Sequence, residues 1–178
     1  MRKGGMMKKF LVLLAAVVLF IACDYATENV GLNPDVECVF MDPIGWYTYL
    51  GDTTHEAGPI EFHFVPETSI DCYLTKMIWE YVDAGGSRFG GPYEIGLYMK
   101  IEGKLDKTEC QDTFVLYNIQ LPLDPVRSHL LPGQSAQALI DFVFVDEYLG
   151  DKYDTASVWF GFHMYDTTFA EDPFNWAR

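Results

Sequence analysis

Residues 60–86 read "IEFHFVPETSIDCYLTKMIWEYVDAGG", and this stretch decides the fold class. In its first part every second residue from Ile60 to Phe64 is apolar and the residues between them are polar, which is the pattern of a β-strand with one buried face. Its second part, residues 72–83, is rich in the aromatic and β-branched residues that strands favour. The turn-forming residues "PETSID" separate the two parts, so the stretch predicts two consecutive strands.

The same alternation continues along most of the chain outside the first 35 residues. Further strands are predicted in "VECVFM" (36–41), "EIGLYMKIEG" (94–103), "DTFVLYNIQL" (112–121), "AQALIDFVFVDEYL" (136–149) and "SVWFGFHMYD" (157–166). No segment has a convincing amphipathic helical period. Seven strands joined by Gly- and Pro-containing turns predict an all-β fold, a single antiparallel β-sandwich over residues 36–178.

Two stretches of this pattern resemble bacterial immunoglobulin-like domains. Residues 60–86 look like the second and third strands of such domains, and "LLPGQSAQALIDFVFV" (130–145) looks like the lead into their sixth strand. The resemblance implies an immunoglobulin-like sandwich of about seven strands. Members of that family are mostly adhesive, spacer or assembly modules, although a fold by itself does not confer a function.

The N-terminal residues predict export. A cationic start precedes 13 apolar residues, Phe10 to Ala22, which is short of the roughly 20 residues that a membrane-spanning helix needs and typical of a signal peptide. The segment Phe20-Ile21-Ala22-Cys23 resembles the lipobox of bacterial lipoproteins, with Phe20 in the place of the usual leucine. That resemblance implies a signal peptide over residues 1–22, a lipid on Cys23 and a linker to residue 35. The alternative is an uncleaved membrane segment with an incidental cysteine.

The composition excludes one class of partner. The chain has 12 Lys and Arg residues against 26 Asp and Glu residues, a net charge of -14, and four of the cations precede Cys23. Nucleic-acid binding needs concentrated cations, so no nucleic-acid partner is expected. An acidic surface favours solubility, cationic partners or divalent ions. The predicted contact with the membrane is therefore made by the lipid and not by the acidic protein surface. The sequence predicts a bacterial envelope membrane and does not decide between its leaflets.

The direction of the predicted strands places the cysteines. If successive strands reverse direction, the linker, Cys72, Cys110 and the turn after the sixth strand share one end of the sandwich. Cys38, early in the first strand, lies near the same end. Any two of the three thiols could therefore approach to disulfide distance, and Cys72–Cys110 is the candidate pair.

The loops after the first, third and fifth strands share the opposite end, away from the linker. Aromatic, Arg and His residues gather there, and aromatic and Arg side chains dominate binding hot spots. The predicted partner-binding residues are Trp46, Tyr47, Tyr49, Arg88, Phe89, Tyr93, Arg127 and His129. The alternative is that these aromatic residues close the open end of the core.

A cluster of acidic residues suggests one metal. Asp146, Glu147, Asp151 and Asp154 lie within nine residues around the turn after the sixth strand, and Ca²⁺ is often held by several loop carboxylates. The alternative is a solvated acidic turn. No cofactor is predicted apart from this calcium ion.

Catalytic signatures are absent from the sequence. It has no Gly-x-Ser-x-Gly, no His-Glu-x-x-His and no phosphate-binding glycine loop before a helix. We therefore expect a non-enzymatic envelope lipoprotein that presents its membrane-distal loops to a protein partner. A carbohydrate- or Ca²⁺-binding module is the alternative, and a passive envelope spacer is the third possibility.

The first prediction concerns the tether. The natural chain should begin at Cys23 and carry acyl groups on that residue, because several chains at about 0.8 kcal/mol per buried methylene make a durable anchor. Mass spectrometry of the N-terminal peptide measures both properties. The variant Cys23→Ser should be neither acylated nor processed. A mature wild-type chain that starts at another residue would contradict the lipoprotein assignment.

Overall fold

Every strand that the alternation predicts is present in the computed structural model, which describes residues 33–104 and 113–166. The elements of these residues, in chain order, are β1 (Val36–Asp42), β2 (Gly45–Tyr49), β3 (Glu56–Pro66), β4 (Cys72–Asp83), β5 (Arg88–Ile101), β6 (Phe114–Pro122), α1 (Asp124–His129), β7 (Ser135–Asp146) and β8 (Tyr153–Tyr165).

The strands form two packed sheets. The smaller sheet has the order β1-β3-β6 and the larger has the order β2-β8-β7-β4-β5. All neighbours are antiparallel except β2, which runs parallel to β8. The predicted all-β sandwich is therefore confirmed, while the assignment to the immunoglobulin-like group stays a prediction.

A layer of phenylalanine rings joins the two sheets. Phe62 and Phe64 of β3 meet Phe142 of β7 with ring centroids 4.8 and 4.9 Å apart, and Phe64 also meets Phe144 at 5.5 Å. All four side chains are fully buried. Their inward position follows from the alternation, because a period of two residues places them on the same face of each strand.

Strand β2 lies where the sequence predicts the loop after the first strand. Its five residues are too few for the alternation to separate a strand from a turn. Because β2 changes sheets and runs parallel to β8, it keeps the direction of β1. Among the described loops, those after β2, β4 and β6 lie at the opposite end of the sandwich from those after β3 and β7, as predicted. One contact shows this grouping directly: the N–H of Leu123, after β6, donates to the carbonyl of His55, before β3, at 2.8 Å.

Two further elements differ from the sequence expectation. Residues 124–129 form the short helix α1 in a segment predicted as loop. The side chain of Val126 in this helix is buried. A helix of six residues is too short to show a helical period. Strand β5 begins at Arg88, inside the predicted turn. Gly91 (φ +96°) allows this early start, because it lets the backbone lie close to β4. A Cβ at position 91 would be 2.8 Å from the carbonyl oxygen of Trp79.

The second prediction tests the ring layer. Phe142→Ala should lower the free energy of unfolding by about 3–5 kcal/mol, since it removes a buried ring and leaves a cavity between the sheets. Chemical denaturation measures the change. The matched control is Tyr117→Ala, at a side chain that is 57% exposed, where a change within about 0.5 kcal/mol is expected. Equal losses in both variants would show that the layer does not hold the sheets together.

Candidate functional site

A groove crosses the outer face of the larger sheet. It has a volume of about 1060 Å³ and is lined by residues of the β1–β2 segment, by β7 and β8, and by the turn between β4 and β5. We call it the distal groove, because it lies at the opposite end of the sheet from Asp146, where β7 ends beside the first residue of β4. The volume is at the upper end of the roughly 300–1,000 Å³ of typical ligand sites.

Strand alternation supplies the floor of the distal groove. Ala136, Ala138 and Ile140 of β7 face the core, so the side chains of Gln137 and Leu139 face outward. The register continues this floor to β8 and β2, where Gly161 lies opposite both Gln137 and Gly45. The two glycines leave the floor low, and a Cβ on Gly45 would be 2.9 Å from the carbonyl oxygen of Gly161.

Aromatic rings form one wall of the distal groove. The side chain of Tyr47 is 60% exposed and stacks on Tyr165 with ring centroids 5.1 Å apart. The ring of His163 meets both tyrosines edge-on, and its Nδ1 is 2.9 Å from the hydroxyl of Ser135. This wall therefore offers flat apolar surface together with groups that donate and accept hydrogen bonds.

The turn between β4 and β5 forms the other wall. The Oδ1 atom of Asp83 accepts hydrogen bonds from the backbone N–H groups of Gly85 and Ser87, at 2.8 and 2.9 Å. The bond from Ser87 contributes most to lowering the pKa of Asp83, and Gly85 and His129 lower it further, against a partial burial that would raise it. Arg88 follows the turn, and its guanidinium lies 3.0 Å from a carboxylate oxygen of Glu80.

The structure divides the predicted partner-binding residues into separate places. Trp46, Tyr47 and Arg88 line the distal groove, although Trp46 is only partly exposed and packs against the core. Tyr49 is 48% exposed at the end of β2.

A second group of the predicted residues forms a stack beside β5. The rings of Phe89 and His129 lie parallel at 4.0 Å, Phe89 stacks on Tyr81 at 5.8 Å, and Tyr93 lies 5.5 Å from Trp79. The stack joins β4, β5 and the end of α1. These side chains therefore pack on one another between β4, β5 and α1, and their role in partner binding stays a prediction.

Arg127 has a structural position. Its side chain is only 15% exposed and donates to the carbonyl of Asp52 and, at 2.6 Å, to Oδ1 of Asp124. The guanidinium and, after it, His55 hold the pKa of Asp124 below its usual value. Arg127 thus fastens the loop before β3 to α1 and is not a free binding group.

Sequence reasoning missed part of the distal groove. Gln137, Leu139 and His163 line it, but they lie on strand faces, while the hot-spot pattern of the sequence points to loops. The signal was available for Leu139, an apolar residue that is 39% exposed at a position that alternation assigns to solvent.

The four acidic residues predicted to bind Ca²⁺ are not brought to a common centre. Asp146 accepts the N–H groups of Tyr148 and Leu149, both at 2.7 Å, Glu147 pairs with Lys100 at 2.9 Å, and Asp154 accepts the N–H of Val36 at 2.9 Å. Asp151 is exposed. Within the described residues no group of three or more His, Cys, Asp or Glu side chains is arranged to hold a metal ion.

Of the cysteines, Cys72 and Cys38 lie in the described ranges and both are free thiols. Burial, and after it the negative charges of Asp154, Asp71 and Asp146, raises the pKa of the Cys72 thiol to about 12, so its reactive thiolate is scarce at neutral pH. Cys110, the predicted partner of Cys72, and Cys23, the predicted lipid site, lie outside the described residues. The disulfide and the lipid stay predictions.

No helix in residues 33–104 and 113–166 is long and apolar enough to cross a membrane. Comparison of the chain with protein-family models, with curated proteins and with solved structures finds no match.

The third prediction concerns the Asp83 turn and pH. Because the folded-state pKa of Asp83 is below its unfolded value of about 3.9, this carboxylate stabilises the fold fully above that value, and the contribution is lost as pH falls through the folded-state pKa. Asp83→Asn should therefore lower the melting temperature at pH 7 and have a smaller effect at pH 3.

Thermal denaturation of the wild type and the variant at both pH values checks this expectation. The control is Asp151→Asn, at an exposed carboxylate of the opposite end, which should differ little from wild type at either pH. A deficit of Asp83→Asn that is as large at pH 3 as at pH 7 would show that the turn does not depend on the charge of Asp83.

Proposed function

We propose that this chain is a non-enzymatic binding module of the bacterial cell envelope, tethered through a lipid on Cys23, and that its distal groove receives part of a protein partner. The observation that carries the proposal is the groove itself. It is a cleft of about 1060 Å³ with Tyr47, Leu139 and Arg88 in its lining.

The position of the groove supports presentation away from the tether. The first strand begins at the end of the sandwich where the N–H of Val36 bonds Asp154, and β7 runs from Ser135 at the groove to Asp146 at that same end. At about 3.3 Å per residue, these positions are about 35 Å apart. Val36, the first residue of β1, thus lies at the end of the sandwich opposite the groove.

The side chains of the groove suit a polypeptide ligand. Tyrosine and arginine are enriched in the hot spots of protein interfaces, and both Tyr47 and Arg88 line the groove. Leu139 adds exposed apolar surface between them. The acidic chain around the groove would speed association with a cationic partner, since complementary charge acts mainly on the rate of encounter.

A test of the groove must leave the fold intact. Trp46 packs against the core and Arg127 fastens the loop before β3 to α1, so substituting either residue would confuse binding with folding. Leu139 is the better position, because its side chain is 39% exposed and lies on the groove floor. Tyr117, which is 57% exposed on β6 of the smaller sheet, is the matched control.

The fourth prediction uses photo-crosslinking in the cell that makes the protein. A benzophenone amino acid at position 139 should give a discrete covalent adduct with one polypeptide, because a bound partner would cover the groove floor. The same group at position 117 should give none. Adducts are separated by electrophoresis and identified by mass spectrometry.

The outcomes of this experiment separate the functional classes. The absence of an adduct at position 139, with the chain folded and exported, would rule out groove binding and leave the passive spacer. An adduct that resists proteases and is degraded by glycosidases would replace the protein partner with a carbohydrate.

One observation favours the carbohydrate as a second candidate. Trp159, which is 57% exposed, lies opposite Leu139 on the same outer face. The low row of Gly161 and Gly45 separates it from the row that contains Tyr47 and His163. Exposed flat rings on one face of a sheet can stack on different sugar rings of one chain. The groove also holds Gln137 and Ser135, whose side chains can hydrogen-bond to sugar hydroxyls.

A further inference from the structure

The sandwich has strand edges that differ in how they are protected. Strands β1 and β6 are the outer strands of the smaller sheet, and β2 and β5 are those of the larger sheet. The ladders of β1, β5 and β6 all contain register shifts, and such irregularities prevent an edge from pairing with another chain. The ladder between β2 and β8 is regular over its whole length.

The backbone of β2 directs unpaired groups away from the sheet. The N–H of Gly161 donates to the carbonyl of Ile44 at 3.2 Å, so alternation assigns the bonding groups of Trp46 and Thr48 to β8 as well. The N–H and C=O groups of Gly45 and Tyr47 then point to the open side. Within residues 33–104 and 113–166, no strand pairs with β2 on that side.

The side chains beside this edge are apolar and exposed. Ile44 is 69% exposed, Tyr47 is 60% exposed and Tyr49 is 48% exposed. No lysine, bulge or covering element of the described residues shields them. A regular, open, apolar edge is the arrangement to which an extended peptide adds as a new strand.

Charge decides what kind of segment fits. Residues 33–60 contain no Lys or Arg, while they include the acidic residues Asp35, Glu37, Asp42, Asp52 and Glu56. A second copy of this chain would bring the same negative charge to the edge, and like charges side by side oppose association. A segment that carries Lys or Arg gains from the same field.

We infer that the open edge of β2 pairs with an extended segment of the protein partner, a short run of alternating apolar residues flanked by Lys or Arg. This inference rests on the proposed function and gives the partner its chemistry. The added strand lies beside the aromatic wall of the distal groove, because Tyr47 belongs both to that wall and to the edge. Its backbone bonds Gly45 and Tyr47, and its apolar side chains pack on Tyr47 and Tyr49, which lie on the same face of β2.

The test is a selection from a display library of random 12-residue peptides, with the full chain in detergent as bait. Wild type should enrich peptides with alternating apolar residues and flanking Lys or Arg. The variant Tyr47→Pro, which lacks the outward N–H and leaves the bonds of Trp46 and Thr48 to β8 in place, should bind the enriched peptides about tenfold more weakly. The control Tyr47→Thr also lacks the ring but keeps the N–H, and should bind more tightly than Tyr47→Pro.

A second measurement keeps the protein unchanged. N-methylation of the enriched peptide at successive positions should weaken binding only at alternate residues, since only alternate N–H groups of a strand face its neighbour. Amide NMR signals of Gly45 and Tyr47 should shift on binding. This series decides the matter even where Tyr47→Pro fails to fold.

Several results would overturn the inference. These are the enrichment of no peptide, equal affinity of the Pro and Thr variants, losses at every methylated position, or preference for acidic flanks. Dimerisation of the free chain through β2 would replace the partner with a second copy. Failure here together with an adduct at position 139 would remove strand addition and leave the distal groove as the binding site.

Discussion

The packing of Phe62 and Phe64 on Phe142 and Phe144 is the contact on which the rest of the structure depends. These rings come from the middle strands of the two sheets and meet edge to face, an arrangement worth about 0.5–1.5 kcal/mol per pair beyond the area that it buries. Since the rings fix how β3 lies over β7, they also fix where the outward residues of β7 point. The distal groove is thus a consequence of inward packing.

The sequence predicts the sheet core much better than it predicts the groove. A run such as residues 136–145 repeats its period often enough to define both a strand and its buried face, and the alternation holds in the structure. The sequence does not predict strand β2 or helix α1, because elements of five and six residues are too short to show a clear strand or helix period. Long-range pairing, not local pattern, decides their structure.

The same distinction explains the fate of the predicted site residues. Choosing aromatic and Arg residues in loops identifies side chains of the correct type, but it cannot tell a free ring from one held in a stack. Phe89 and His129 lie on each other, and Arg127 joins α1 to the loop before β3. Tyr47 also stacks on Tyr165, but its place on the edge strand β2 leaves it 60% exposed, and that position follows from the topology of the whole sheet.

The glycine pair of the groove floor has a consequence for how this protein can change over generations. Any side chain at Gly45 would collide with the backbone at Gly161. The close spacing of β2 and β8 therefore excludes larger residues at Gly45 and preserves the depth of the distal groove. The turn at residues 84–87, by contrast, is exposed on every side. Mutation of Ala84, which lines the groove, would change the shape of the groove wall while the floor stays the same, so the wall can vary over generations without a change in the fold.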